Sequence, residues 1–294
     1  MKLIKPSFEI LDQQYGLEGI YKQIEIAGRT CYKSEDKITD DSAKEFVDRM
    51  IKSGHGAMLE HGTVYLAIPI SEWRCTDDYR DSYISNPYSN VNDSLVDWEN
   101  NEGTIYITTN FRVLVENDWL DDLQYICEPT EYHEKRITVK FITDQGILRE
   151  FTRHRVFSFA VESTRYCNYT KDKFSNEITF IQPNWISDKD VENYHMDFGY
   201  FTDQDTNHIT AVNRFMSALK NAEYFYMELI KLGWKPQQAR NILPLATKCD
   251  MVMTGFVSDW EHFFELRDAA SAHPQAQELA HSLHEAFIQR GLIE

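Results

Sequence analysis

The 294-residue sequence predicts an α/β protein of the α+β type, built as one domain. Segments with apolar residues at helical spacing alternate with segments in which every second residue is apolar, the patterns of helices and half-buried strands. The hydrophobic fraction of 42% is sufficient for a sizeable core. No repeat, linker or low-complexity tract divides the sequence, so we assign residues 1–294 to a single domain.

The first clear elements are a helix and a strand between residues 40 and 70. Residues 40–42 offer capping side chains and Gly54 a stop, and the apolar residues between them recur at helical spacing: Ala43, Phe46, Val47, Met50 and Ile51. The following segment "TVYLAIPI" has alternating apolar positions, which predicts a strand with one buried face.

The middle of the chain predicts an irregular segment and then two strand–helix pairs. Residues 71–103 are rich in Asp, Asn, Ser and Tyr and show no period, so we expect irregular structure with room for one short helix. "TIYITTNFRVLVE" reads as a strand running into a helix. "RITVKFITDQG" alternates and ends in a predicted turn, after which "ILREFTRHR" reads as a short helix.

The last third of the chain is predicted to be mostly helical. Apolar residues from Ile209 to Leu229 mark a long amphipathic helix that Gly233 closes, and Pro236 begins another. After the apolar stretch "CDMVMTGFV", Ser258 and Glu261 match a capping box for a helix over "DWEHFFELRDAA".

The chain is strongly acidic, and this limits its partners. It has 47 acidic and 30 basic residues and a formal charge of -17. Such a field repels nucleic acids and anionic membranes, so we expect neither as a partner. A local cluster of cations in this chain is better explained as a pocket for a small anion, because a few converging arginines can fix a phosphate.

The cysteines and the N-terminus indicate a cytoplasmic protein. The five cysteines are scattered and include no C-x-x-C pair, which favours neither disulfides nor a zinc site. "MKLIKPSFEIL" lacks the apolar core of a signal peptide, and no stretch approaches the apolar length that a bilayer span requires.

The segment "RHRVFSFAVESTRYCNY" concentrates cations in the acidic chain. It begins at the end of a predicted helix, where the helix dipole favours positive charge, and an isolated R-H-R would be read as a solvated helix end. Here Ser163 and Arg165 follow Arg153, His154 and Arg155 at fixed spacing. This constellation favours an anion site.

Arginine-histidine-arginine, seven residues and serine resemble the signature of flavin-dependent thymidylate synthases. "SGHGAMLEH", "QQARNILP" and "DWEHFFELR" resemble further segments of that family. The sequence departs from the common pattern at Ala57, Ala160, Val161 and Phe256, and residues near 71–103 and 116–135 look like insertions. The resemblance implies a central, mainly antiparallel sheet flanked by helices.

The resemblance also implies an activity. Family members methylate dUMP to dTMP with methylenetetrahydrofolate as carbon donor, FAD as cofactor and NADPH as reductant, in homotetramers with shared active sites. By this resemblance Arg153 and Arg240 reach one pocket from one chain, and Ser163, Arg165 and Arg267 reach it from a neighbour. Arg267 matches the residue proposed to polarise the uracil ring, a role that a guanidinium suits electrostatically.

The matching positions give the candidate site, in which no metal is implied. Arg267 is the catalytic candidate. The candidate substrate-binding residues are Glu150, Arg153, Val161, Glu162, Ser163, Thr164, Arg165, Arg240 and Arg267. The candidate cofactor-binding residues are His55, Ala57, Arg153, His154, Arg155, Val161, Phe256, Val257, Ser258 and His262. We expect His55, His154 and Arg155 to supply positive charge to the flavin, and the helix start at Ser258 to offer amide donors to its pyrophosphate.

Other functions stay open at this stage. A non-catalytic nucleotide-binding regulator would keep the arginines without flavin. A metal-dependent nucleotide hydrolase would use His55, Glu60 and His61, two residue types that are common metal ligands. An acidic scaffold would bind no small ligand.

Overall fold

Four antiparallel strands form the largest sheet of the protein, in the order β2–β6–β9–β7. The computed structural model describes residues 1–73, 83–194 and 210–294. Strands β6 and β9 pair along nine residues, from Arg136 opposite Phe256 to Asp144 opposite Lys248. The strands of the described residues are β1 (Lys2–Ile4), β2 (Ser7–Leu11), β3 (Thr63–Pro69), β4 (Asn90–Asn92), β5 (Thr104–Asn110), β6 (Arg136–Asp144), β7 (Ser158–Val161), β8 (Thr179–Ile181) and β9 (Lys248–Phe256).

Helices precede and follow these strands along the described chain. They are α1 (Gly16–Tyr32), α2 (Ser42–Lys52), α3 (Gly56–Leu59), α4 (Phe111–Glu116), α5 (Gln145–Phe151), α6 (Asp188–Glu192), α7 (Ala211–Lys231), α8 (Pro236–Ala239), α9 (Val257–Arg267) and α10 (Pro274–Gln289). Among the described residues, no helix is long and apolar enough to cross a lipid bilayer.

Both faces of the large sheet are covered, as the alternation of β9 requires. Met251 and Met253 point to a core that includes Trp260 and Phe263 of α9 and Leu283 of α10. Val252 between them belongs to the opposite core, with Ala160 of β7 and residues of α1, α2, β3 and β5. Since successive strand residues face opposite ways, β9 is buried on both faces from Cys249 to Gly255.

Two smaller sheets complete the described fold. Strand β5 pairs antiparallel with both β3 and β4, and β1 pairs parallel with β8. Helix α7 packs on the second of these through Leu219 and Tyr226, which share a core with Ile178 and Phe180. The mixed helix and antiparallel-sheet architecture expected from the sequence is therefore confirmed.

Most predicted elements are found, with small shifts. The helix after residues 40–42, the strand after Gly62 and both strand–helix pairs are confirmed. Asp144 forms no separate turn, because its carboxylate accepts from the amides of Gly146 and Ile147 and starts α5 directly. Ile209, expected on the long helix, lies outside the described residues, and α7 begins at Ala211.

Two local predictions are wrong. The expected capping box of Ser258 and Glu261 does not form, because α9 begins two residues earlier and Asp259 accepts from the amide of Phe256 at 3.1 Å. The expected irregular stretch 71–103 contains β4, whose residues pair with β5 and extend that sheet. Residues 74–82 of this stretch lie outside the described chain.

A substitution of Phe151 tests the packing between α5 and α9. Its ring is fully buried, with edge contacts to Phe141 at 5.3 Å and Phe263 at 4.9 Å between centroids. We expect Phe151→Ala to lower the free energy of unfolding by about 3–5 kcal/mol, since it removes apolar contacts and leaves a cavity. Urea unfolding measures the loss. Phe225→Ala, at a ring that is 56% exposed, is the matched control, and equal losses in both variants would contradict this packing.

Candidate functional site

The arginine-histidine-arginine segment lies directly after α5, where Thr152 ends the helix. Arg153 and Arg155 are exposed, whereas His154 between them is buried. Among the described residues, neither arginine side chain has a hydrogen-bond or ion-pair partner. Two free guanidinium groups thus flank one buried imidazole.

Arg267, at the C-terminal end of α9, is held by two residues from the end of α5. Its Nη1 donates to Oε2 of Glu150 at 3.0 Å, and its Nη2 donates to the backbone oxygen of Glu150 at 2.9 Å. Its Nε donates to Nε2 of His154 at 3.0 Å. These bonds use three of the five N–H donors of the guanidinium. Two donors therefore stay available on a side chain whose orientation is fixed.

His154 is neutral at neutral pH. Burial, together with the positive charge of Arg267, lowers the pKa of His154 to about 4. A neutral ring agrees with the geometry, because Nε2 must be unprotonated to accept from Arg267. The expectation that His154 supplies positive charge is therefore wrong, and the adjacent arginines carry the charge. His262, also expected near a cofactor, is 62% exposed and lies with its ring 6.3 Å from that of His154.

A second group of candidate residues surrounds residues 163–165. Nη1 of Arg240 donates to Oγ1 of Thr164 at 3.2 Å. The amide of Ser163 donates to the backbone oxygen of Cys31 at 3.1 Å, which fixes the segment against the end of α1. Arg165 is exposed, with its guanidinium 5.7 Å from the ring centroid of Tyr166. Arg240 thus lies beside Thr164 in the same chain, which differs from the expected division between chains.

His55 belongs to an aromatic cluster near this second group. Its Nδ1 is 2.9 Å from the hydroxyl of Tyr32, and the ring of Tyr32 lies 6.1 Å from that of Tyr166. Both His55 and Ala57 are exposed, at the start of α3. The cluster brings the candidate cofactor histidine towards the side of the protein that carries Arg165.

Glu162, a candidate substrate-binding residue, is engaged in contacts within the protein. Its side chain is buried, and Oε2 accepts from Nζ of Lys248 at 2.9 Å and from the amide of Asp250 at 3.0 Å. Its other oxygen accepts from Sγ of Cys167 at 3.3 Å. Both carboxylate oxygens are thus occupied within the protein.

Lys33 completes this buried charge cluster by contacting Asp250 directly. Burial acts to lower the pKa of Lys33, but Glu162 and Asp250 raise that pKa well above its ordinary value. Burial acts to raise the pKa of Asp250, while Lys248 and Lys33 hold it below its ordinary value. Two half-buried lysines and two buried carboxylates therefore neutralise one another.

The hydrogen-bond donors at the start of α9 already have acceptors within the protein. The amide of Val257 donates to the backbone oxygen of Lys135 at 2.9 Å. The amide and hydroxyl of Ser258 both contact Oε1 of Glu134, whose other oxygen accepts from Asn90 at 2.7 Å. A carboxylate therefore occupies the helix start expected to offer donors to a pyrophosphate, and it would repel a phosphate there.

The residues of the metal-hydrolase alternative do not converge. His61 is fully buried, and burial with the nearby Arg136 charge lowers its pKa to about 3. Glu60 pairs with Arg112, and His55 contacts Tyr32. Within the described ranges, no group of three His, Cys, Asp or Glu side chains is arranged to hold a metal ion.

Other residues of these clusters carry no sequence signal of their own. Val161 lies in β7 opposite Met251, as the alternation of both strands requires. Lys33, Lys248 and Glu134 contact candidate site residues, yet each is a single charged residue that sequence reasoning treats as solvated. Only the polar residues that interrupt the apolar run of β9, Lys248 and Asp250, hint at a buried charge network.

The buried neutral ring of His154 predicts a pH dependence of stability. The unfolded ring gains a proton near pH 6.5, whereas the folded ring stays neutral until pH 4, so stability is present above pH 6.5 and is lost as the pH falls towards 4. We expect His154→Gln to reduce the loss between about pH 7 and about pH 4.5 by roughly 2 kcal/mol, because each unit of pKa shift corresponds to about 1.4 kcal/mol. Urea unfolding at both pH values measures it. His281→Gln, at an exposed ring, controls for the loss of an imidazole, and an unchanged slope in His154→Gln would contradict the assignment.

Several known proteins are similar to this chain. A flavin-dependent thymidylate synthase of Halobacterium salinarum is 27% identical over 164 residues, 55% of this chain and 65% of the relative. One of Haloarcula marismortui is 26% identical over 162 residues, 53% of this chain and 64% of the relative. The chain thus spans slightly less than two thirds of the length of these curated relatives. The structure of the UMP/dUMP methylase PolB of Streptomyces cacaoi, solved with 5-Br dUMP, matches at 17% identity and a TM-score of 0.42. The match covers 98% of this chain and 93% of PolB. This level of similarity assigns neither fold nor substrate.

A family model extends the match over most of the candidate site. The model described as Thy1, thymidylate synthase complementing protein, matches residues 129–290, more than half of the chain. This range contains β6, α5, β7, β9 and α9, and every candidate site residue except His55 and Ala57. The chain therefore belongs to the Thy1 family, the family of the flavin-dependent thymidylate synthases.

Proposed function

We propose that the protein methylates dUMP to dTMP, with methylenetetrahydrofolate as carbon donor, FAD as cofactor and NADPH as reductant. The observation that carries this proposal is the fixed guanidinium of Arg267, which keeps two unused N–H donors. It is held by Glu150 and His154, the residues on either side of exposed Arg153 in the sequence. A preorganised cation of this kind stabilises negative charge as it develops on a substrate ring. We propose that Arg267 acts in this way on the uracil of dUMP.

Exposed arginines suit the phosphate of dUMP. A nucleoside monophosphate carries about two negative charges at neutral pH, and arginine forks bind phosphate bidentately. Arg153 and Arg165 are exposed and, among the described residues, have no acidic partner, while Arg240 makes a neutral hydrogen bond to Thr164. Unpaired cations in a chain of charge -17 support an anionic ligand here.

The same surface suits part of FAD. Arg155 and His55 are exposed and fit an anionic cofactor, whereas the start of α9 is blocked by Glu134 and does not. FAD, when bound, supplies the hydride that completes the methyl group. We propose that Arg155 and His55 bind the cofactor, with neutral His154 holding Arg267 in position between cofactor and substrate.

We propose a homotetramer in which neighbouring chains share each active site. The contacts within one chain favour two groups. Arg267 contacts Glu150, and Arg153 follows three residues later, so these residues form one group. Arg240 contacts Thr164, which lies between Ser163 and Arg165 in the sequence, and these residues form the other. In a closed symmetric assembly, each pocket would take one group from each of two chains. We further propose that residues 1–294 act as a single catalytic domain.

The visible spectrum and the product decide between this function and a non-catalytic nucleotide-binding regulator, which the blocked start of α9 favours. We expect purified protein to bind FAD, NADPH to bleach it, and dTMP to form only when dUMP and methylenetetrahydrofolate are both present. Binding of dUMP without FAD binding or dTMP formation would instead establish the regulator. A protein that binds neither dUMP nor FAD would support the remaining alternative, an acidic scaffold.

Arg267 and Ser163 differ in their expected importance. We expect Arg267→Ala to lower kcat about 100-fold or more, because it removes charge stabilisation at the reacting ring. Ser163→Ala should retain measurable turnover, because the hydroxyl only contacts substrate. Arg267→Lys tests whether charge alone is sufficient, since lysine cannot reproduce the three hydrogen bonds. The reverse order of severity in folded variants would overturn these roles.

Complementation tests the division between chains. Arg240→Ala and Arg267→Ala chains each lack one group, so random mixing should make about a quarter of the pockets fully wild-type. Arg240→Ala and Arg165→Ala chains lack the same group, and their mixture should recover no wild-type pocket. Co-expression and a dTMP assay give both results, with each variant alone as baseline. Recovery by both pairs would contradict this grouping and restore the division implied by the family resemblance.

A further inference from the structure

A cavity of about 300 Å³ lies between the β2–α1 connection and the start of β6, and none of the candidate site residues lines it. Four separate parts of the chain enclose it. They are residues 11–20, the start of β3, residues 126–129 and residues 135–138. Tyrosine and isoleucine side chains form much of its lining, and Lys135 and Arg136 are its two basic residues.

Arg136 is a buried cation whose charge is unpaired within the described residues. Its side chain is only 8% exposed, and Nη1 donates to the backbone oxygen of Glu60 at 3.2 Å and to Oγ1 of Thr63 at 3.5 Å. Nε is buried without a hydrogen-bond partner. Neutral oxygens therefore satisfy part of the guanidinium, and several of its five donors stay unused.

The nearby carboxylates are committed elsewhere. Glu60 pairs with Arg112, and Asp12 at the rim of the cavity pairs with Arg290 at 2.7 Å. Asp259 accepts from the amide of Phe256 and, like Glu60, acts on Arg136 through space without a direct ion pair. No ion pair reaches Arg136 from the described residues.

The other contacts of Arg136 compensate only part of the cost of burying it. Its guanidinium lies 5.6 Å from the ring centroid of Phe256, a cation–π contact that stabilises the charge without neutralising it. Burying an unpaired ion costs several kcal/mol. Burial lowers the pKa of Arg136 to about 10, so the side chain keeps its charge at neutral pH. A buried, charged and unpaired arginine in a cavity wall calls for an anion.

We propose that this cavity binds a small organic anion whose carboxylate or phosphate group pairs with Arg136 and whose apolar part packs on the tyrosines. The cavity volume lies at the lower end of the range for small-molecule sites, and its mixed aromatic and basic lining is typical of them. Exposed Lys135 lies at the cavity and adds a second positive charge. This site is separate from the proposed dUMP and FAD contacts, and the proposal stands without them.

Two probes distinguish the possible anionic groups. Benzoate presents a carboxylate on a ring, and inorganic phosphate presents the phosphate group alone. Titration calorimetry on the full chain, at fixed ionic strength, measures both affinities. Because phosphate can also bind at the exposed arginines after α5, the titrations are repeated in an Arg153→Gln variant. We expect saturable millimolar or tighter binding of at least one probe in both proteins.

Variants locate the binding. We expect Arg136→Gln to weaken binding at least tenfold, since it removes the buried charge. Lys135→Glu reverses an exposed charge at the cavity and should weaken binding several-fold without affecting the fold. Lys52→Glu, at an exposed position on α2 outside the cavity lining, is the matched control and should bind as the wild type does.

Each contrary result overturns the proposal. No saturable binding of either probe, or equal weakening in Lys135→Glu and Lys52→Glu, excludes a specific site. If circular dichroism shows that Arg136→Gln does not fold, the comparison of Lys135→Glu with Lys52→Glu alone tests the site. Affinity that falls as protein concentration rises would mean that a second copy of the chain fills the cavity.

Discussion

The antiparallel pairing of β6 with β9 is the constraint on which the candidate site depends. It places the start of β9 beside the end of β6, so the chain leaves the two strands at opposite ends, into α5 from one and α9 from the other. Helix α9 then runs back across the sheet for 11 residues, about 16 Å at 1.5 Å per residue. This return brings Arg267, at its last turn, to Glu150 and His154 at the end of α5.

The strands and helices that build this arrangement could be predicted because their burial is periodic. Val139 and Phe141 are buried at alternate positions of β6, and Phe46, Val47 and Met50 at helical positions of α2. The partners of charged residues could not be predicted. Glu162 looks like a ligand-binding acid in the sequence, yet Lys33 and Lys248 lie 129 and 86 residues away along the chain and contact it only after folding. The contact of Ser258 with Glu134, 124 residues away along the chain, likewise forms only after folding.

The distribution of charge explains why an acidic chain gathers arginines at one place. Buried charges are mostly neutralised internally: Lys33 and Lys248 with Glu162 and Asp250, and Arg29 with Glu25. Exposed Arg153, Arg155 and Arg165 have no such partners among the described residues. Surface arginines in a strongly acidic protein have many carboxylates within reach, and ion pairs at the surface gain little energy. Their unpaired state is thus more consistent with a site for an external anion than with a stabilising role.

Neutral His154 allows the arginines of the motif to lie close together without a further positive charge. A protonated imidazole between Arg153, Arg155 and Arg267 would place four positive charges together and would lose its acceptor for the Nε of Arg267. By staying neutral down to about pH 4, the ring positions the guanidinium without competing with it for an anion. Charge is therefore concentrated on arginines, which do not titrate near neutral pH, and the orientation of Arg267 is set by groups that do not change protonation in that range. The order of the motif, two exposed arginines around one buried histidine, follows from this separation of charge and positioning.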